Sequence, residues 1–445
     1  MRLARRLAAL PGIEDAALFI GTASNKALLR DAGLLADEGE QAGANDLLIA
    51  LRASDEAAGR RALESALDLV SEREPAEGRV RASTLSGALE ALPRANLALI
   101  SVPGDFAAAE ARRALEAGLH ALVFSSGVPL EEERALKELA GGKGLLLMGP
   151  DCGTALIAGT PIAFANAVPR GDIGIVSASG TGLQEVSCLV ARLGAGVSHG
   201  IGVGGRDLDE RVGALGTLAA IDALERDTRT RTIVLLSKPP APRVAEQVLA
   251  RLARCRKPTV TCFLGLESAG LARTLREAAE MATGKKVEET TTPGKKKKAK
   301  GRVQALYCGG TLCSEAEIIF RRLGLEGERH GHRFVDLGDD RYTRGKPHPM
   351  IEPEIRNAHL AAALADPAVG VVLVDVVLGF GSHADPAGIL LRENLAAKLV
   401  VASVTGTEQD PQVRSRQVAL LREAGVLVAA SNAHAAELAA ALVAH

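Results

Sequence analysis

Gly180-Thr181 and Gly310-Thr311 stand 130 residues apart in the same setting. Each pair is followed five residues after its glycine by a glutamate (Glu185, Glu315), and thirteen residues after it by Leu-Gly (Leu193-Gly194, Leu323-Gly324). Each follows a short strand-like run (173–176, 303–307) and opens a stretch whose apolar residues recur at helical spacing: Leu183, Val186, Leu189, Val190 and Leu193 in one, Leu312, Ala316, Ile319 and Leu323 in the other. A glycine at a helix start lets backbone N–H groups approach an anion, and the helix dipole favours negative charge there. Two such cradles facing each other would hold an anionic group such as phosphate. Ser177, Ser179, Gly180 and Thr181 form the first candidate cradle, and Gly309, Gly310 and Thr311 the second. Their hydroxyls are either ligands or ordinary helix caps.

Other residues with chemistry are more scattered. His348 and His383 fall in Gly/Pro-rich loops after strands, where an imidazole either orients a carboxylate, moves a proton, or serves as a loop residue. Cys152 and Cys308 lie beside glycines near the expected cradles; they are nucleophiles only if their thiol pKa is depressed, and small buried residues otherwise. Glu185 and Glu315, one turn inside their helices, suit capping or an interface. His199 suits a structural role, and His330-Gly331-His332 lacks further ligands, so no metal is expected.

The elements that must position these residues alternate. Short apolar runs at 16–20, 46–51, 96–102, 121–125 and 144–148 read as buried strands, with helical stretches between them. This predicts a doubly wound sheet, with ligands beyond the carboxyl ends of its strands. Those ends supply Pro103, Ser126, Gly127, Pro150, Asp151 and Cys152 as a candidate substrate or CoA pocket. From 171 onward the same α/β plan runs twice, with strands at 232–236 and 259–264, then 334–337, 369–374 and 399–404, which predicts duplication of one unit. The expected domains are 1–165, 166–284 and 303–445. A lysine-rich stretch at 285–302 has no interleaved aromatic to stack on bases and reads as a linker.

Composition narrows the function. Fifty-three Lys and Arg against 54 Asp and Glu leave a net charge of −1, so nothing draws the chain to nucleic acid or an anionic membrane. Aromatics are 2% and Trp is absent, so the cores must be built from Leu, Val, Ile and Ala. The six cysteines form no CxxC pair, and free thiols are expected. No secretory leader and no run near the ~20 apolar residues of a membrane span is evident, so a cytoplasmic protein is expected.

Several motifs together resemble the α subunit of succinyl-CoA synthetase: Ser101-Val102-Pro103, residues 111–118, Ser126-Gly127-Val128-Pro129, Met148-Gly149-Pro150-Asp151-Cys152, and 171–181 leading into Gly180-Thr181. The stretch from Val303 resembles the ligase domain of the β subunit of that enzyme, with Gly309-Gly310-Thr311 opening a second phosphate-binding helix. The fusion of the two, with Arg344 to Met350 and Leu378 to His383, resembles the FdrA family. The resemblance implies a Rossmann-like CoA-binding-type domain followed by two flavodoxin-like domains. It also implies membership of a multi-subunit enzyme, homo- or hetero-oligomeric, acting on a small anionic substrate. Its implied reaction is that of oxamate carbamoyltransferase, a transferase step of purine catabolism converting oxalurate and phosphate to oxamate and carbamoyl phosphate. The alternatives are an acid–thiol ligase (acyl-CoA synthetase) that takes its nucleotide site from another chain, and a non-catalytic scaffold. Phosphate or carbamoyl phosphate is the implied ligand, with CoA as a further possibility. The chain departs from the synthetase in two places. The loop that would carry a phosphohistidine reads Phe263-Leu264-Gly265-Leu266-Glu267-Ser268-Ala269-Gly270, and the glutamate loop that steadies it reads Ser237-Lys238-Pro239-Pro240.

Overall fold

The computed structural model describes residues 2–71, 82–289, 298–327, 330–343 and 347–443. They form two compact units, Met1–Ala95 with Thr343–Pro347, and Asn96–Tyr342 with His348–His445.

In the first unit the strands Ile13–Ile20 and Leu47–Ala53 pair antiparallel, with Phe19 opposite Leu48 and Ala17 opposite Ala50. Leu7, Leu29, Ala58, Ala62 and Ala66 make its core. This corrects the expectation of one doubly wound sheet across 1–165. Both strands are only partly buried along their length, with charged residues such as Asp15 and Arg52 in their runs. A parallel sheet covered by helices on both faces needs near-continuous apolar strands. The Gly21–Asn25 turn starts a helix by ordinary capping, Thr22 Oγ1 accepting from Asn25 N at 3.2 Å.

The second unit carries three sheets. Leu97–Ile100, His120–Val123 and Leu147–Met148 form a parallel three-stranded sheet. The next sheet runs in the order Thr259–Phe263, Thr232–Ser237, Arg170–Ser177, Val197–Gly202, all parallel. The antiparallel hairpin Thr154–Ile157 and Thr160–Ala163 extends its edge. The third sheet is wholly parallel: Arg333–Asp336, Arg302–Tyr307, Val369–Val377, Leu399–Thr405, Leu427–Ala429. Numbered within each repeat, the strand orders are 2-1-3-4 and 2-1-3-4-5. This is the flavodoxin-like winding, and it carries a topological switch point beside the first strand. The duplicated α/β plan is therefore present.

The two repeats share one apolar core. Leu183, Val186, Leu189 and Val190 from the helix Gly180–Arg192 meet Leu312, Ala316, Ile319 and Phe320 from the helix Gly310–Arg322. The helices Leu275–Thr283 and Asn432–Val443 complete it, the latter through Ala433, Ala436, Ala439 and Ala440, whose small side chains allow close approach. The expected linker at 285–302 is anchored at its described ends. Lys285 Nζ donates to Leu193 O (2.7 Å), and Ala299 N donates to Leu442 O (2.9 Å). Lys295, Lys296 and Lys297 lie outside the described residues, as do Arg344, Gly345 and Lys346. Among the described residues no helix is long and apolar enough to cross a membrane.

Candidate functional site

The first turns of the two tip helices touch. Ser179, in extended conformation, caps its own helix by accepting from Gly182 N (2.9 Å), and its hydroxyl donates to Thr311 Oγ1 of the opposite tip (2.6 Å). Ser177 Oγ donates to Ser179 O (2.7 Å) and braces this turn. The contact is reciprocal. A Cβ built on Gly309 would lie 2.9 Å from Thr181 Cγ2, and one on Gly182 would lie 3.4 Å from Thr311 Cγ2. Each threonine thus rests on a glycine of the other tip, so the seven cradle candidates are brought together. Among the described residues nothing accepts from the N–H groups of Gly180, Thr181, Gly310 or Thr311. Beside the first tip, between Cys152, Ser177, Gly180 and Gly202, is a cavity of about 10 Å³, enough for one water.

The second tip carries charged residues that the sequence reading did not single out. Asp375, at the carboxyl end of Val369–Val377, is fully buried and accepts from Cys308 N and Gly309 N, both at 2.8 Å. Arg356 pairs with it at 3.1 Å and donates to its backbone carbonyl at 2.6 Å. Burial pushes the Asp375 carboxyl up, against the lowering by Arg356. Asp336 ends the neighbouring strand and stands directly over Gly310, where a Cβ would have no room. Burial raises its pKa, and its Oδ1 accepts from Gly338 N (2.9 Å). Lys238, from the switch point of the other repeat, reaches over the same tip, with Nζ 3.4 Å from a Cβ position on Gly310. The signal for all three was positional: they lie at or just beyond strand carboxyl ends, where open α/β sheets bind ligands.

Behind the tips, Glu185 and Glu315 exchange caps between the repeats. Glu185 Oε1 accepts from Asn432 N (3.0 Å), and Glu315 Oε1 accepts from Leu275 N (2.6 Å). Each carboxylate therefore serves a helix start in the other repeat, and Asn432 Nδ2 donates to Glu315 Oε2 (2.8 Å) as the bridge between them. Burial pushes Glu315 up to about 7.

His348 lies over the second tip, its Nε2 2.6 Å from a Cβ position on Gly338. Burial pulls its pKa down to about 4. Its Nδ1 accepts from Met350 N (3.2 Å), which leaves the proton of the neutral ring on Nε2. At neutral pH it is thus a hydrogen-bond donor rather than a reservoir of positive charge. His383 comes from the adjoining loop: its backbone N–H donates to Met350 O (2.8 Å), and its Nδ1 accepts from Asp385 N (3.0 Å).

The strand-end loops of the three-stranded sheet also converge. Asp151 N donates to Ser125 O (3.0 Å), and Gly104 packs on Ser126 and Gly127 without room for a side chain. Pro103, Ser126, Gly127, Pro150, Asp151 and Cys152 are therefore neighbours. Cys152 is held between the carbonyls of Thr154 and Gly202, and burial raises its thiol to about 12. Cys308 is raised as well, again by burial. Neither is a thiolate nucleophile at neutral pH. The two helices that open at these loops carry acid in their first turns, Asp105 in one and Glu131, Glu132 and Glu133 in the other. Glu133 is buried and paired with Lys137 and Arg206, while Asp105, Glu131 and Glu132 lie in the field that would attract a phosphate.

A CoA-ligase family model matches residues 306–442, the span that holds the second tip, Asp336, His348 and Asp375. Succinate–CoA ligase [ADP-forming] subunit alpha 2 of Archaeoglobus fulgidus is 26% identical over 55% of this chain and 75% of its own length. These matches show a CoA-ligase-like domain over residues 306–442 and similarity to the α subunits of ADP-forming succinate–CoA ligases over about half of the chain. More particularly, the chain belongs to the family of Escherichia coli YahF, which is 40% identical over 99% of this chain and 95% of its own length. An acetyl-coenzyme A synthetase from Ca. Korarchaeum cryptofilum, solved with phosphate and ADP, is 19% identical over 78% of this chain and 82% of that one, with a TM-score of only 0.32. Residues 1–84 match a model described as AllF, heavy metal-associated domain. Those residues hold no Cys and no His, and their sole Met is Met1, so the soft donors such a metal needs are missing there.

Proposed function

We propose that this chain is the acyl-transfer subunit of a CoA-ligase-like, multi-chain enzyme, with phosphate bound between the tips at Gly180 and Gly310. The observation that carries the reading is the reciprocal contact of the two tips, with four N–H groups that meet no described protein acceptor and with Lys238 beside them. Phosphate would replace the Ser179–Thr311 hydroxyl bond and take donors from Ser177, Ser179, Gly180, Thr181, Gly310 and Thr311, while Gly309 keeps the tips close. A phosphate oxygen attacks the acyl carbon of a thioester. The new C–O bond forms, the C–S bond breaks, and the leaving thiolate takes a proton, which gives an acyl phosphate and free thiol. The N–H groups and Lys238 hold the charge of the oxyanionic intermediate. His348 and His383 orient the acyl group, and Asp336 exchanges the proton. Nucleotide chemistry belongs to a separate chain, in keeping with the relatives named as subunits.

A second reading is carbamoyl transfer, in which phosphate attacks the carbamoyl carbon of oxalurate, the C–N bond breaks, and oxamate leaves with the proton. Two features favour it. The loop 263–270 has no histidine for a phosphoenzyme relay, and Asp105, Glu131 and Glu132 put negative charge in the first turns beside Pro103 and Ser126, which disfavours the pyrophosphate of CoA.

Calorimetric titration with phosphate, CoA, carbamoyl phosphate and ATP tests both. Phosphate binding that disappears in Gly310→Val supports the tips as the site. A CoA signal then selects the thioester, and a carbamoyl-phosphate signal without CoA selects the carbamoyl group. No phosphate binding overturns the proposal.

A further inference from the structure

A cavity of about 450 Å³ opens at the far end of the first tip helix. That helix has 13 residues, so this end is about 20 Å from the tip. The volume lies within the range of small-molecule sites. Its charged lining is Arg192, Lys285, Lys286, Arg414 and Arg422, against Glu288 alone. Lys286 is engaged by Glu280 (2.7 Å). Arg192, Lys285 and Arg414 donate only to backbone carbonyls, of Ala430 (2.7 Å), Leu193 (2.7 Å) and Val404 (3.1 Å). Among the described residues, no carboxylate is within ion-pair distance of any of the three or of Arg422. A helix C-terminus attracts cations, which accounts for Arg192 and Lys285. It accounts too for Arg422, in the last turn of the helix Arg414–Glu423 of the other repeat, but not for Arg414, which opens that helix. Glu185 and Glu408 act on Arg414 from a distance, yet burial and the charge of Arg192 still lower it to about 10.

We propose that this cavity is a second anion site, separate from the tips, which takes a small polyanion of the phosphoanhydride class. Guanidinium forks match phosphate oxygens two at a time. The lining has no aromatic ring, so recognition is of the phosphate chain and not of a base.

The test titrates the full-length protein with tripolyphosphate, ADP and citrate. The Gly310→Val background silences the tips, so a failure here is distinct from a failure of the proposed function. One equivalent of tripolyphosphate or ADP is expected to bind in that background. Adding Arg422→Glu, a change at an exposed side chain, should weaken binding at least about tenfold, and Arg414→Lys should weaken it several-fold while keeping the charge. No binding, or affinity unmoved by Arg422→Glu, overturns the site. Citrate binding as tightly as tripolyphosphate overturns the phosphoanhydride assignment.

Discussion

Thr181 and Thr311 each sit on a glycine of the facing helix, so a side chain at Gly309 must push the tips apart. Gly309→Ala places a methyl 2.9 Å from Thr181 Cγ2, an overpacking that costs about 1–3 kcal/mol. Phosphate affinity is expected to fall about tenfold or more, and Thr181→Ser in the same chain should recover part of it by removing that methyl; calorimetry reads both. Lys238→Ala removes the one lysine held over Gly310 and should weaken phosphate by roughly five- to thirtyfold, as for loss of a charge-assisted hydrogen bond of about 1–2 kcal/mol. Glu315 adds a pH signature. Its folded pKa of about 7 stands above its ordinary 4.5, so the folded chain keeps a proton that the unfolded chain loses. That stability is fully present below pH 4.5 and drains away as pH rises through 7, by about 3 kcal/mol in total. His348, lowered to about 4, runs oppositely and loses stability as pH falls from 6.5. The comparison is therefore with Glu315→Gln: between pH 5 and 8 the wild type should lose stability relative to this variant in denaturant titrations, and parallel curves would contradict the buried protonated carboxyl.

At the scale of elements, the exchange of caps makes the tip helices one assembly. Asn432→Ala leaves Glu315 Oε2 and Leu312 O without their donor in a dry core, at about 1–3 kcal/mol. A fall in Tm of several degrees is expected; an unchanged Tm would mean that water replaces the amide. The tip helices, their preceding strands and the duplication were readable because a Gly-Thr start, a glutamate and a Leu-Gly end recur at fixed spacing. The strand Val197–Gly202 was masked by its glycines, which are there because Gly202 packs on Cys152 and Thr154 with no room for a Cβ. The short strand Leu427–Ala429 and the helix Asn432–Val443 escaped because a nearly all-alanine face gives little periodic contrast. The pairing of Ile13–Ile20 with Leu47–Ala53 depends on which partner each strand finds, which local pattern does not encode. Asp336, Asp375 and Lys238 were illegible as a group for the same reason: their meeting is made by winding, not by spacing.

At the scale of the molecule, a fully buried ion cluster fastens the three-stranded sheet to the first repeat. Lys137 donates to Glu133 Oε1 and to Asp207 Oδ1, both at 2.7 Å, while Asp207 also accepts from Gly216 N and Thr217 N. Lys137→Met leaves Asp207 buried without a cation and Glu133 with Arg206 alone (2.7 Å), and should cost about 3–5 kcal/mol, read by chemical unfolding; a loss under 1 kcal/mol would show that the cluster rearranges or admits solvent. The copied windings have a different outcome at their meeting point. Both repeats bring hydroxyls to the junction, but only the second adds a carboxyl, Asp336, and only the first a lysine, Lys238, which crosses to the opposite tip. A phosphate-bearing guest lodged there, as proposed, would meet two unlike walls and be held one way round. On the proposed reading, two copies of one winding would then tell the head of a substrate from its tail.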